Sequence, residues 1–432
     1  MLQAIHASWI IPVKPTSDIL SNHTLVIEDS VIRDLIPTKD WAPSSQDFKE
    51  YNLKEHVLMP GLVNANANAS TALLRGSDNS SIQNLIQERR WPDEIGYSSY
   101  DLVRDSTLLA GAEMLLSGTT CFGDICIFGD AMAESCITLG LRVAIASLIA
   151  DDSSVWATNP DDYFSKSEKL HDKYRMHPHI HCRFGTQATV LSSKKTLERL
   201  KGLAQELDLT VHLALEPNIY SNKSTATKKS NFTPIEQLAT ARLLSPKLTV
   251  IGSTHLSMGE IDMMNLTGTQ AIVCLASDLI KPEGLANVRK LISSSNNVGL
   301  GSDSAATNSN FDLFREIASV ARIMKSESTK NINFAGSKVL EMSTYGGAKA
   351  LGLEEIIGSL EASKLADIIA INMNDFRTKP VRNLTEQLIN RTEQKQITHV
   401  WVGGRLIVEQ NKLKNPNSSS LTRVASLYES NP

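Results

Sequence analysis

No apolar run in this 432-residue chain approaches the roughly 18 residues needed to cross a bilayer, so no transmembrane helix is expected. The opening, MLQAIHASWIIPVKPTSD, has no basic segment followed by a long apolar one, which argues against a secretory leader. Cysteine is sparse: Cys121, Cys126, Cys136, Cys182 and Cys274 form no C-x-x-C, and their odd number excludes a fully paired disulfide framework. Free, buried thiols in a reducing, cytoplasmic compartment are the expectation. Nor is there an excess of positive charge, with 43 Lys+Arg against 47 Asp+Glu and a net charge of −4, so a nucleic-acid or anionic-membrane surface is not expected. No repeat of fixed period occurs. What is present, 41% hydrophobic and 21% charged residues, is the composition of a globular chain.

The first 58 residues read as short strands, with Trp9–Val13, Leu25–Glu28 and Val31–Ile36 as the apolar-rich runs. From Met59 the pattern changes. Eight strand-like runs follow: Met59–Asn64, Thr119–Gly123, Arg142–Leu148, Ile180–Gly185, Thr210–Ala214, Leu248–Gly252, Gln270–Cys274 and Asn297–Gly301. Helix signals separate them. Tyr100–Ser117 repeats leucine and alanine at helical spacing, Ser192–Asp208 opens on capping serines, and Thr233–Leu244 opens on Thr-Pro. Asn310–Met324 and Lys338–Leu351 follow the last run. Eight β-then-α units predict an α/β fold, a distorted (β/α)8 barrel over 59–355. Residues 1–58 and 356–432, with strands at Asp367–Ile371 and Thr398–Ile407, are expected to form a small β-sandwich-like domain from both termini.

Barrels of this kind carry their chemistry at the carboxyl ends of the strands. Those positions hold Asn66 and Asn68 after the first run, His212 in the fifth, His255 after the sixth and Asp303 after the eighth. Polar groups at four strand ends form a site-like pattern. Other features invite attention less. His179 and His181 alternate onto one strand face in HPHIHC but have no acidic or cysteine partner there. Asp124, ending the second run, reads as a loop cap, and Arg75 and Trp91 fall near the expected barrel mouth. Gly61 and Gly301 fit turns or close approaches.

Several blocks carry a resemblance. MPGLVNANANASTALLRG (59–76), SGTTCFGD (117–124), STHLSMGEI (253–261), VGLGSDSAATNSNFDLF (298–314), GGAKALGLEEIIGSLEASKLADIIAIN (346–372) and HVWVGGRLI (399–407) stand in the order found in the amidohydrolase superfamily. The chain resembles the branch of 5-methylthioadenosine/S-adenosylhomocysteine deaminases and triazine chlorohydrolases over nearly its whole length. In that branch a His-x-His pair, a fifth-strand histidine and an eighth-strand aspartate hold zinc or a similar metal. A glutamate three residues past the fifth-strand histidine moves protons.

The resemblance assigns His212 and Asp303 as residual metal ligands and His255 and Asp303 as catalytic equivalents. It also shows departures. Asn66 and Asn68 replace the His pair, Leu215 replaces the glutamate with Glu216 one residue late, and Gln187 replaces a histidine in a pocket segment; Gln187 and, from its place near the barrel mouth, Trp91 are the substrate-contact candidates. Zinc favours imidazole, thiolate and carboxylate, and three such ligands are the usual catalytic minimum. Without a metal, bound water stays near its bulk pKa instead of about 7, and losing the positioned acid/base removes a further ~10²–10⁴-fold. The expectation is a non-catalytic homologue that binds a small nucleoside-like or heterocyclic ligand or partners an active subunit. The resemblance admits a homo-oligomer or a hetero-oligomer with an active homologue. The alternative is a divergent aminohydrolase acting on a purine- or triazine-like amine, without metal or with an unusual metal set. A third reading is an interaction protein with a filled pocket. Zinc or iron is expected only where the family mechanism survives.

Overall fold

In the computed structural model, residues 1–43, 47–75, 99–187, 193–215, 233–253, 256–279, 287–295, 297–308, 310–326, 336–416 and 418–428 are described. Their strands are β1 (Leu2–Ile10), β2 (Leu20–Glu28), β3 (Val31–Pro37), β4 (Phe48–Pro60), β5 (Leu62–Asn64), β6 (Thr119–Cys126), β7 (Arg142–Leu148), β8 (Ile180–Gln187), β9 (Val211–Ala214), β10 (Leu248–Ile251), β11 (Gln270–Val273), β12 (Val298–Leu300), β13 (Ile368–Asn372), β14 (Ile397–Val402), β15 (Arg405–Glu409) and β16 (Lys412–Leu413).

β5 to β12 pair in sequence order as an eight-stranded parallel sheet. The Ala65 N–H donates to the Leu300 carbonyl at 2.8 Å and draws the last strand to the first. This is the α/β barrel read from the sequence. Helices between strands start where the side chains cap them. Ser99 accepts from the Leu102 N–H ahead of Tyr100–Leu116, and Thr233 with Glu236 forms a reciprocal cap around Pro234. Among the described residues no helix is long and apolar enough to cross a membrane.

The termini contribute the other eight strands to one mixed sheet, ordered β16-β15-β14-β13-β4-β1-β2-β3. Its strands alternate between two cores. Ile368 and Ala370 join Ile5, Leu25, Leu58 and Trp401 in a core of its own, while Ile369 and Ile371 face the large core shared with the barrel. A fully buried ion pair ties the two parts together. Asp367 accepts from Arg142 Nε and Nη2, each at 3.0 Å, and from the Gly403 N–H at 2.7 Å.

Three expectations are corrected. Met59 and Pro60 end the long strand β4 in the mixed sheet, and the barrel begins only at Leu62. Gly61 makes the passage because a Cβ there would sit 2.0 Å from Thr120 Oγ1. The N-terminal strand runs over Leu2–Ile10 and not Trp9–Val13. The expected helix Lys338–Leu351 is two, Gly336–Met342 and Tyr345–Ala350. The Ser343 and Thr344 hydroxyls each donate to the Leu340 carbonyl, at 2.9 and 2.6 Å, and compete with helix propagation.

Candidate active site

The first barrel strand ends in Asn64, and the segment after it is held from several sides. Asn64 exchanges two hydrogen bonds with Ser302, its carbonyl accepting from the Ser302 N–H at 3.0 Å and its amide donating to Oγ at 2.7 Å. The Asn66 carbonyl accepts from the Asp303 N–H at 2.9 Å. Gly301 permits this approach, since a Cβ there would meet the Asn66 carbonyl at 2.8 Å and Cys274 Sγ at 2.9 Å. Asn68 and Asp303 both take left-handed backbone, at φ 46° and 58°. Asn and Asp tolerate that region better than other non-glycine residues.

This backbone brings three neutral donors onto one carboxylate. Asn66 Nδ2 and Asn68 Nδ2 donate to Asp303 Oδ1 at 3.3 and 3.2 Å, and Ser277 Oγ donates to Oδ2 at 2.5 Å. Ser277 sits on the short helix Leu275–Leu279 that follows β11. That helix is steadied by the buried Glu316, which accepts from the Ala276 N–H at 3.2 Å and from Asn308 Nδ2 at 2.8 Å. Burial pushes the Glu316 carboxyl up to about 7.

Asp124 holds the other end of the segment. Its Oδ2 accepts from the Ala69 N–H at 2.6 Å, which makes it a loop cap. Burial pushes its carboxyl up to about 8, with Asp303 as a further cause in the same direction. Arg75 pairs with Glu113, whose other oxygen accepts from the Phe311 N–H at 2.9 Å.

The remaining candidates are placed differently. His212 is buried on β9, opposite Gly185 and Thr249 in the strand register. Burial and the nearby Arg183 charge push its imidazole down to about 3. Among the described residues no hydrogen bond joins the His212 ring to Asp303. Leu215 is packed into the main apolar core, where a glutamate would be buried among hydrocarbon. Trp91, His255 and Glu216 lie outside the described residues, as does the side chain of Gln187.

The donor set can be tested against the metal that the resemblance implies. Among the described residues no three His, Cys, Asp or Glu side chains lie together so as to hold a metal ion. Asn66 and Asn68 supply neutral carboxamides whose N–H ends face Asp303, and a carboxamide nitrogen has no lone pair to offer a cation. The described residues by themselves therefore do not make up a zinc centre. A hard cation would need both carboxamides turned so that oxygen faces the ion.

Reading from sequence missed Glu316 and gave Ser277 no role of its own. Glu316 left a signal, because it falls on the apolar stripe of Leu313, Ile317, Val320 and Met324. An acid on such a face has a buried partner to serve.

A closed parallel barrel with an aspartate after the last strand, tied to residues after the first, defines the class of barrel hydrolases whose sites lie at the strands' carboxyl ends. The amidohydrolase family model matches residues 57–407, and the chain belongs to that family. It is 35% identical to a 5-methylthioadenosine/S-adenosylhomocysteine deaminase of Teredinibacter turnerae over 417 residues, 95% of this chain and 93% of the relative. A protein of the same description from Saccharophagus degradans is 32% identical, over 98% of this chain and 95% of its own length. Among solved structures, an adenosine deaminase from Xanthomonas campestris with bound zinc has a TM-score of 0.91 at 29% identity, covering 99% of this chain and 97% of that one. The zinc complex of the atrazine chlorohydrolase TrzN from Arthrobacter aurescens has a TM-score of 0.89, with 99% of both chains covered. At 18% identity it attests the fold alone.

Proposed function

We propose that this chain is a deaminase homologue whose barrel mouth binds a nucleoside-like or heterocyclic small molecule without hydrolysing it by the family's metal route. The observation that carries the reading is the state of Asp303. Its two oxygens accept from Asn66, Asn68 and Ser277. In a metal-dependent hydrolase the corresponding carboxylate gives its lone pairs to the ion. Here neutral N–H and O–H groups of Asn66, Asn68 and Ser277 meet those oxygens. The position expected to carry the proton-moving glutamate is Leu215, turned into the core. What remains is a polar ring able to orient a ligand.

A second reading is favoured by a separate observation, the 35% identity to a 5-methylthioadenosine/S-adenosylhomocysteine deaminase across nearly the full length of both chains. The comparisons on their own favour this reading, a divergent aminohydrolase acting on a purine- or triazine-like amine with a divalent metal held in another way. Elemental mass spectrometry of unchelated protein, paired with ammonia release from 5-methylthioadenosine, S-adenosylhomocysteine and adenosine, separates the two. The first reading expects far less than one metal per chain and no ammonia. About one equivalent of zinc, iron or manganese, with turnover that Asp303→Ala abolishes, would establish the second instead.

A further inference from the structure

The inner wall of a barrel like this one is ordinarily packed with branched apolar side chains. On one side, near the amino-terminal ends of β8 and β9, it is cationic and polar. Arg183 on β8 is 5% exposed, and its Nη1 donates to the Thr210 hydroxyl. Its Nε has no acceptor, and Thr210 is its one hydrogen-bond partner among the described residues. Glu354 acts on it electrostatically, with no ion pair between them among the described residues. Two imidazoles share this wall, His181 two residues before Arg183 and His212 two after Thr210. His181 Nε2 is buried without a partner among the described residues. The Arg183 charge is among the causes that push the His181 imidazole down, to about 3. The guanidinium itself is lowered only to about 10, so at neutral pH it stays a cation.

A buried charge with one neutral partner is a strongly unfavourable arrangement unless an opposite charge meets it. We propose that the barrel floor holds a binding site for a small monovalent anion of halide size at Arg183, with His181 giving a second N–H. A single positive charge matches a monoanion, whereas a dianion would leave net charge in the interior. Space sets the size. Packing is tight two residues on, where a Cβ at Gly185 would meet Ile125 at 2.8 Å and the Ala146 carbonyl at 3.0 Å, so only a small ion could be held at Arg183. Access is from the floor, where Gly352 is exposed and a Cβ on it would lie 3.5 Å from Arg183 Nη1. The site is at the opposite end of the strands from Asp303, and the inference does not rest on the proposed function.

The test is thermal unfolding of the full chain in sodium bromide or chloride against sodium gluconate at matched ionic strength. The expected result is an upward shift of the midpoint that saturates with halide, is absent with gluconate and is lost in Arg183→Gln. A bromide-soaked crystal of the unsubstituted protein should give an anomalous peak beside Arg183, a readout that stands even if the variant fails to fold. Superposed halide and gluconate curves, an equal halide shift in Arg183→Gln, or an ordered water beside Arg183 in bromide crystals would each overturn the proposal.

Discussion

Replacing Asp303 separates a metal site from a network complete in itself. In a metal site kept free of its ion, an acid among polar groups is a liability, and removing it is neutral or stabilising. Here Asp303 satisfies three donors, so removing it must destabilise. Hydrogen bonds to a charged group contribute about 1.5–3 kcal/mol each. These three share one acceptor group, and Asn68 and Asp303 are partly exposed, so the sum is nearer about 3–5 kcal/mol. Alanine at φ 58° adds about 1–2 kcal/mol of backbone strain. Asparagine avoids that strain and keeps one carbonyl acceptor. Urea unfolding in EDTA, followed by tryptophan fluorescence, should rank the proteins wild type, then Asp303→Asn, then Asp303→Ala, the last lower by ~4 kcal/mol or more. An Asp303→Ala protein as stable as the wild type in EDTA would refute the reasoning, because the three donors would then not depend on the carboxylate.

Two further perturbations address how the site is held. Asp367→Asn removes the partner of a fully buried guanidinium and should cost about 3–5 kcal/mol, with part of the loss recovered in Arg142→Met/Asp367→Asn; thermal denaturation of the two variants side by side checks this, and an unchanged Asp367→Asn midpoint counts against it. Asp124 keeps its proton in the folded chain up to about pH 8 but loses it near its ordinary value of 3.8 when unfolded, so stability falls as pH rises through that window and levels off above it. Asp124→Asn can still accept from the Ala69 N–H and has no proton to lose. Its urea midpoint at pH 8.5 relative to pH 5 should therefore fall less than that of the wild type, and parallel falls would show that Asp124 does not titrate in this range.

The barrel was legible because eight apolar runs alternate with helices whose caps are written locally, as at Ser99 and at Thr233 with Glu236. Boundaries failed where hydrophobicity is continuous across two structures. Val57 to Val63 reads as one buried run, yet β4 ends in the mixed sheet and β5 opens the barrel, and only the close contact at Gly61 marks the change. The first half of β4, FKEYNLKE, escaped notice because much of it is exposed and charged. At the site, the exchange of histidine for asparagine at 66 and 68 was plain in the sequence, and the wiring was not. Nothing local ties Ser277 to Asp303 or Glu316 to Ala276, because the barrel's closure makes those neighbours.

That wiring bears on whether the pair of asparagines merely fills space. Asn68 must adopt φ 46°, a region where asparagine is among the better-tolerated residues, and its amide must reach Asp303. Asn66 must expose its carbonyl to the Asp303 N–H while its side chain serves the same carboxylate. A residue that only filled the volume of an imidazole would not meet the side-chain demand. Both demands converge on Asp303, itself left-handed at φ 58°. The cluster is thus one hydrogen-bonded unit across the seam between β5 and β12, where the barrel closes. A ligand in the mouth can still be met by Asp303 Oδ2, where Ser277 is the one donor among the described residues and a lone pair stays open.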